Sequence, residues 1–402
     1  MIIQLLGGTV LVGLGVVVSL SLLYHYVLAI AGYRRPKSLS RASEDYLFAI
    51  LIPAHNEESV IASTLDALPA LDYPRDCWDA YVVADHCTDA TAALAREHGA
   101  ICLERNDGPR GRKAYPLQWL IQQLLVHPRR YDAFVIIDAD SQLAPDFLQH
   151  MRDGLATGHD VLQGQHRVAN PRQSAYTQLA DIDMRLNNLL RNQAKRNLGL
   201  SARLMGDAMC FRRTILEQFG WPTESLGEDR EFGMYLVARG IRVTYVPEAI
   251  SYGQGALRWR DARVQRLRWQ AASSQMRQAQ MRDVARRAFK SGDPGAADLL
   301  VELLSPSFSV FAFLSFALLA LQLTLFPFAA PWVSWGAFAL LVASVCFPIV
   351  GLAAARAPLR SFRALVLGPV YIMWRVLLRV CILLAPSSAK WVRTVRREEL
   401  GK

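Results

Sequence analysis

Asp138-Ala139-Asp140 puts two carboxylates one residue apart at the end of the apolar run Phe134-Val135-Ile136-Ile137. Carboxylates spaced this way can hold a hard divalent cation, Mg²⁺ or Mn²⁺, and leave coordination sites open for phosphate oxygens. A diphosphate leaving group needs that charge neutralised as its bond breaks. Two other strand-like runs end in acidic groups. One passes into Pro53-Ala54-His55-Asn56-Glu57-Glu58, and the other stops at Asp85. Singly, each suits an ordinary turn or helix cap, and Asp89 before Ala90-Thr91 reads as such a cap. Together, three acidic strand ends in one sheet converge on the crevice where an open α/β sheet binds ligands.

Gly227-Glu228-Asp229 offers a different chemistry. An acceptor hydroxyl that attacks an anomeric carbon must lose its proton, and a carboxylate within hydrogen-bond reach can take it. A solvated helix start, with Arg230 and Glu231 forming ion pairs, competes with this reading. Further on, Gln265-Arg266-Leu267-Arg268-Trp269 lies in a basic, helix-like stretch. Arg268 there can clamp a diphosphate, and Trp269 can present an apolar platform to a sugar ring.

The elements that must position these groups follow from the apolar pattern. Short strands at Phe48–Pro53, Tyr81–Asp85, Phe134–Asp138, Asp160–Gln165 and Arg242–Val246 alternate with helical stretches. That alternation predicts an α/β domain over about 46–255, with ligands at the carboxyl ends of its strands.

The chain has 402 residues, 52% of them hydrophobic and 20% charged, and its net charge is +10. Ten basic residues face two acidic ones in 256–290, and again in 356–402, so the remainder is slightly acidic. Basic stretches beside apolar runs suit anionic lipid rather than nucleic acid. Ile2 to Tyr33 carries no formal charge and exceeds the roughly 20 residues a bilayer helix needs. Arg34, Arg35 and Lys37 follow it, which predicts an anchor at 1–33 with its N-terminus outside and the α/β domain in the cytoplasm. A second charge-free run, Leu303 to Ala355, predicts two spans within 299–355, broken near Pro327 and Pro331. In 364–402, an apolar segment carries Arg375 and Arg379 four residues apart, ahead of a basic tail. It reads as an interfacial or re-entrant helix. The basic stretch 256–290 reads as a membrane-surface helix. The six cysteines form no C-x-x-C pair, which predicts reduced thiols with no disulfide framework and no zinc site.

In their order, these segments resemble the family 2 inverting glycosyltransferases of GT-A fold, and most of all the membrane branch holding cellulose, chitin and hyaluronan synthases and ceramide glucosyltransferases. The stretches that carry the likeness are Pro53–Glu58, Asp85, Asp138–Asp140, Gly227–Asp229 and Gln265–Trp269. The resemblance implies a Rossmann-like GT-A domain inserted between transmembrane helices. It also implies roles. Glu57 and Asp85 would contact the uridine part of the donor, and Asp138 would sit against the nucleotide. Asp140 would ligate Mg²⁺ or Mn²⁺. Asp229 would be the general base with Glu228 supporting it. Lys113 and Arg268 would hold the donor phosphates, Gln265 and Trp269 would meet the acceptor, and Gly206 and Asp207 would line the acceptor site. Gly227 stands where the family usually has Thr, and Arg112 replaces a small residue.

The expected reaction is metal-dependent hexosyl transfer from a UDP-sugar with inversion, at the inner membrane of a bacterium. A growing polysaccharide is the first acceptor and a membrane lipid the alternative. The short membrane region argues against a self-contained export channel and leaves room for a homo-oligomer or an export partner.

Overall fold

A computed structural model describes residues 2–223, 225–325 and 331–384; within these, the side chains of 2–10, 268, 270–279, 325 and 331–332 are outside the description. The basic tail with Lys390, Arg393, Arg396 and Arg397, and the expected turn at Pro327, lie outside the described residues.

Eight strands form one sheet: β1 (Phe48–Ala54), β2 (Trp78–Asp85), β3 (Ile101–Arg105), β4 (Ala133–Ile136), β5 (Ser141–Leu143), β6 (Val161–Val168), β7 (Met209–Arg212) and β8 (Val243–Gly253). Their order is β3-β2-β1-β4-β7-β6-β8-β5. β1 pairs in parallel with β2 and β4, whereas β7 runs antiparallel to β4 and β6. The sheet is therefore mixed. β1 reads as a continuous apolar run because both its faces are covered. Phe48, Ile50 and Ile52 pack on one side with Phe147 and Met151, while Ala49 and Leu51 pack on the other with Leu117, Phe134 and Phe232. Between β1 and β4 the chain direction of successive connections reverses, and a crevice opens at their carboxyl ends.

Five of the eight strands coincide with the expected runs. β3, β5 and β7 are additions, and the expected strand Phe134–Asp138 stops at Ile136, leaving Asp138 and Asp140 on a loop.

Three described helices are long and apolar enough to cross a membrane by length and composition: Leu11–Ala31, Val333–Ala354 and Leu359–Leu384. The run after Leu303 holds two helices, Phe308–Leu325 and Pro331–Ala354, with a further break ahead of them. A helix from Pro294 ends at Leu304, and the next begins at Phe308 after a 51° bend. Pro306 explains the break, because it lacks an N–H and forces Ser305 into an extended conformation. The stretch 256–290 forms one helix, Trp259–Ser291, that packs against Pro294–Leu304 and the last helix, Gly368–Leu384.

Candidate active site

The crevice is part of a cavity of about 500 Å³. Its lining joins Glu57 and Asp85 beyond β1 and β2, the Asp138–Asp140 loop beyond β4, and Glu228-Asp229. Gln265 and Trp269 of the long basic helix complete that end. Residues separated by more than 200 positions thus share one space. Arg268 lies on the same helix, but its side chain is outside the described residues.

Asp85 closes β2 as a buried carboxylate. It accepts from the Arg105 guanidinium, and His86 Nδ1 lies 3.0 Å away. Arg105 ends β3 and also donates to the Pro109 carbonyl at 2.9 Å. It was not anticipated, because β3 is a largely exposed edge strand without a strong apolar pattern. Asp89 behaves as the expected cap, accepting from the Thr91 N–H at 3.0 Å.

Lys113 holds the centre. Its ammonium donates to Asp138 Oδ1 and to the Gly206 carbonyl, each at 2.5 Å. Burial opposes its charge, but Asp138 and Glu228 outweigh burial and raise its pKa. Gly206 has φ +80°, and a Cβ there would come within 3.4 Å of Asp229 Oδ2. Both facts favour glycine, the first because an L side chain is strained at that φ.

Asp207 is buried and lines the cavity. Its carboxylate accepts from the Asp138 N–H at 2.9 Å and from the Ser251 hydroxyl, and His166 Nδ1 sits 2.6 Å away. The burial that would raise its pKa is overcome by these partners, which hold it low. Its place is behind the Asp138–Asp140 loop, which it braces. His166 and Ser251 come from β6 and β8, and their spacing in sequence carries no signal of this contact.

Glu228 begins the helix Glu228–Ala238 and is buried, so the solvated helix start is excluded. Burial and the neighbouring Asp229 raise its pKa to about 8, with Lys113 acting in the opposite direction. Asp229 is also raised, by burial first. Two adjacent carboxylates resist joint ionisation, in keeping with the raised pKa of each.

The donor set fits a divalent cation in part. Asp138 is engaged by Lys113, and Asp140 lines the same cavity. No cluster of three or more His, Cys, Asp or Glu arranged to hold a metal occurs among the described residues. A cation here would need oxygens from outside the protein to complete its shell.

The long basic helix meets this site through an ion bridge. Asp183 lies between Arg266, at 2.7 Å, and Arg375 of the last helix, at 2.8 Å. Arg266 also sits over the Trp269 ring, 4.8 Å from its centroid. Asp183 belongs to the helix beginning at Ala175, which passes through a π-helical turn at Arg185–Leu190 before Arg191–Asn197. Asn187 and Asn188 on that turn line the cavity. Such turns recur at functional sites.

A mixed sheet with acidic groups at the ends of β1, β2 and β4, sharing one cavity with the Glu228-Asp229 pair, has the arrangement of a glycosyltransferase of GT-A fold. The chain belongs to the family described as Glycosyltransferase like family 2, whose pattern matches residues 45–272. It is 26% identical over 266 residues to "Probable glycosyltransferase YdaM" of Bacillus subtilis, covering 62% of each chain. It is 26% identical over 230 residues to the "Beta-monoglucosyldiacylglycerol synthase" of a Nostoc strain, covering 54% of this chain and 47% of that one. An "N-acetylglucosaminyltransferase" of Sinorhizobium fredii is 25% identical over 274 residues, covering 62% of this chain and 63% of that one. The chain thus spans less than two thirds of the length of these relatives. Among solved structures, the mannosyltransferase PcManGT of Pyrobaculum calidifontis, in complex with GDP-Man and Mn²⁺, aligns with a TM-score of 0.59 at 18% identity. That alignment covers 94% of this chain and all of the other, and it shows the fold.

Proposed function

We propose that this chain is a membrane-bound inverting glycosyltransferase that moves a hexose from a UDP-sugar to the headgroup of a membrane lipid. The observation that carries the choice of acceptor is the reach of the cavity. It runs from Glu228-Asp229 to Tyr24 and His25 of the first apolar helix and to Phe308 and Arg379 of later ones. A lipid whose chains lie among those helices can bring its headgroup to the carboxylate pair without leaving the bilayer surface.

In this reading Glu57 and Asp85 bind the uridine, and Asp138 sits against the nucleotide. A divalent cation held by Asp140 supplies charge neutralisation at the diphosphate. Lys113 and Arg268 add positive charge there. Asp229 takes the proton of the attacking hydroxyl, and Glu228, held protonated beside it, leaves the pair a single negative charge at neutral pH. Gln265 and Trp269 hold the acceptor, and Gly206 keeps its wall open. Asp207 is assigned to bracing the Asp138–Asp140 loop instead of binding acceptor. The domain faces the cytoplasm, in keeping with Arg34, Arg35 and Lys37 after the first apolar helix.

Extension of a polysaccharide is the second reading. It is favoured by the placement of Gln265 and Trp269 in the cavity lining, where a glycan could stack. The test is to supply purified protein in lipid with each labelled UDP-sugar. Label extracted into organic solvent supports the lipid acceptor. Label that stays aqueous and yields to glycosidases supports the polymer and removes the first reading.

A further inference from the structure

The end of the cavity bounded by apolar helices is strongly basic. Arg191 and Arg203 line it from the α/β domain, with Lys195 buried behind them, and Arg266, Arg375 and Arg379 line it from the long basic helix and the helix Gly368–Leu384. Three carboxylates answer them. Asp183 is shared by Arg266 and Arg375. Glu302 is contacted by Lys195 at 2.5 Å, by Arg191 at 3.6 Å and by Arg203. Asp298 is contacted by Lys195 at 2.8 Å and accepts from the Tyr24 hydroxyl at 2.9 Å. Among the described residues, the lining of this end holds Arg191, Arg203, Arg266, Arg375 and Arg379 against Asp183 and Glu302.

Excess charge of one sign in a poorly hydrated space is unfavourable unless an opposite charge joins it. The strain registers on Lys195, whose pKa burial and the neighbouring arginines lower to about 8 despite its two carboxylates. Arg203 Nε and Arg375 Nε are buried donors with no hydrogen-bond partner among the described residues. Arg375 and Arg379 are four residues apart, so they share one face of the last helix, and both line the cavity. Arg379 also donates to the Ser307 hydroxyl at 3.3 Å, where the helix bearing Phe308 begins. Guanidinium pairs match phosphate oxygens in geometry as well as charge.

We propose that this basic end binds a phosphate group carried by the lipid acceptor, with Arg379 and Arg375 as its contacts, so that the preferred acceptor is an anionic lipid rather than a neutral diacylglycerol. The inference rests on the lipid-acceptor reading above and adds the chemical class of the headgroup.

The experiment uses the full chain in phosphatidylcholine nanodiscs. Dioctanoyl phosphatidic acid, dioctanoylglycerol and inorganic phosphate are titrated separately, with UDP as a fourth ligand, and binding is read by native mass spectrometry. Phosphatidic acid should bind at least about tenfold more tightly than dioctanoylglycerol, because the neutral lipid lacks the charge-assisted phosphate contact. Arg379→Gln should bring the two lipids to within about twofold, and Arg379→Lys should keep part of the preference. UDP affinity should be the same in wild type and in Arg379→Gln. Equal affinity for the two lipids in wild type overturns the proposal, as does a preference that survives Arg379→Gln. Inorganic phosphate binding as tightly as phosphatidic acid also overturns it, by assigning the site to free phosphate. A loss of UDP affinity in Arg379→Gln does the same, by assigning the arginine to the donor. If phosphatidic acid binds as expected but labelled sugar enters only a glycan, the anion site stands and the lipid-acceptor reading fails.

Discussion

Lys113 ties Asp138 to the far wall of the site: its Nζ is 2.5 Å from Asp138 Oδ1 and 2.5 Å from the carbonyl of Gly206, the residue against which Asp229 rests. One ammonium therefore sets the distance between the donor side of the cavity and its proposed base. Lys113→Met should leave Asp138 and the Gly206 carbonyl without their donor, at a cost of about 1–3 kcal/mol in positioning. Transfer should fall at least about tenfold and UDP affinity should fall with it, as a titration followed by a rate assay would show. Unchanged UDP binding would separate Lys113 from the donor.

Chelation addresses the carboxylates of the loop. EDTA should abolish transfer, and Mg²⁺ or Mn²⁺ should restore it. Asp140→Asn should lose most turnover with an unchanged melting temperature, because the side chain lies beyond the end of β4 rather than in the core. Full activity in chelator would take the pair out of the chemistry.

Asp229→Asn preserves side-chain shape but removes the proton acceptor. Turnover should drop by about 10²–10⁴-fold, the usual worth of general-base catalysis, while the UDP dissociation constant changes little. Trp269→Ala should instead lose transfer to acceptor while slow hydrolysis of the donor by water persists. Measuring both products for both variants distinguishes a base from a platform. If Asp229→Asn kept near-normal transfer, the base would be Glu228.

Glu228 carries a pH signature with a definite sign. Its folded pKa is about 8, above the ordinary 4.5, so the native state binds this proton more tightly than the unfolded chain does. That contribution to stability is fully present below about 4.5 and is lost as pH rises through about 8. Glu228→Gln should therefore raise the melting temperature relative to wild type by a larger margin at pH 9 than at pH 5, with a difference of a few degrees readable by a thermal scan. An equal margin at both pH values would show that Glu228 is not held protonated.

Much of the donor side could be read from the chain because backbone geometry dictates it. β1, β2 and β4 are apolar runs that must be buried, and the residues just past them, Glu57, Asp85, Asp138 and Asp140, must emerge at one edge. Short or exposed strands escaped this logic. β5 has three residues, β3 is a sheet edge, and β7 is a short apolar stretch inside a segment read as acceptor lining. The partners escaped it as well. Arg105, His166, Ser251 and Asp183 meet the site only after distant segments pack, and nothing in their local spacing announces the contact. Arg375 and Arg379 were visible as a helical pair, but not that they turn toward the cavity.

The bridge at Asp183 also limits how this chain can change. Asp183, Arg266 and Arg375 come from three separate helices, one carboxylate shared between two largely buried guanidiniums. Removing the central carboxylate strands two guanidiniums, and breaking a buried pair from one side typically costs about 3–5 kcal/mol. Stepwise replacement of the acid first thus passes through a poorly folded intermediate, whereas exchanging all three for apolar residues of similar volume need cost little. Descendants of this sequence are expected to keep the trio or lose it as a set, so that the long basic helix and the helix Gly368–Leu384 drift through sequence space together.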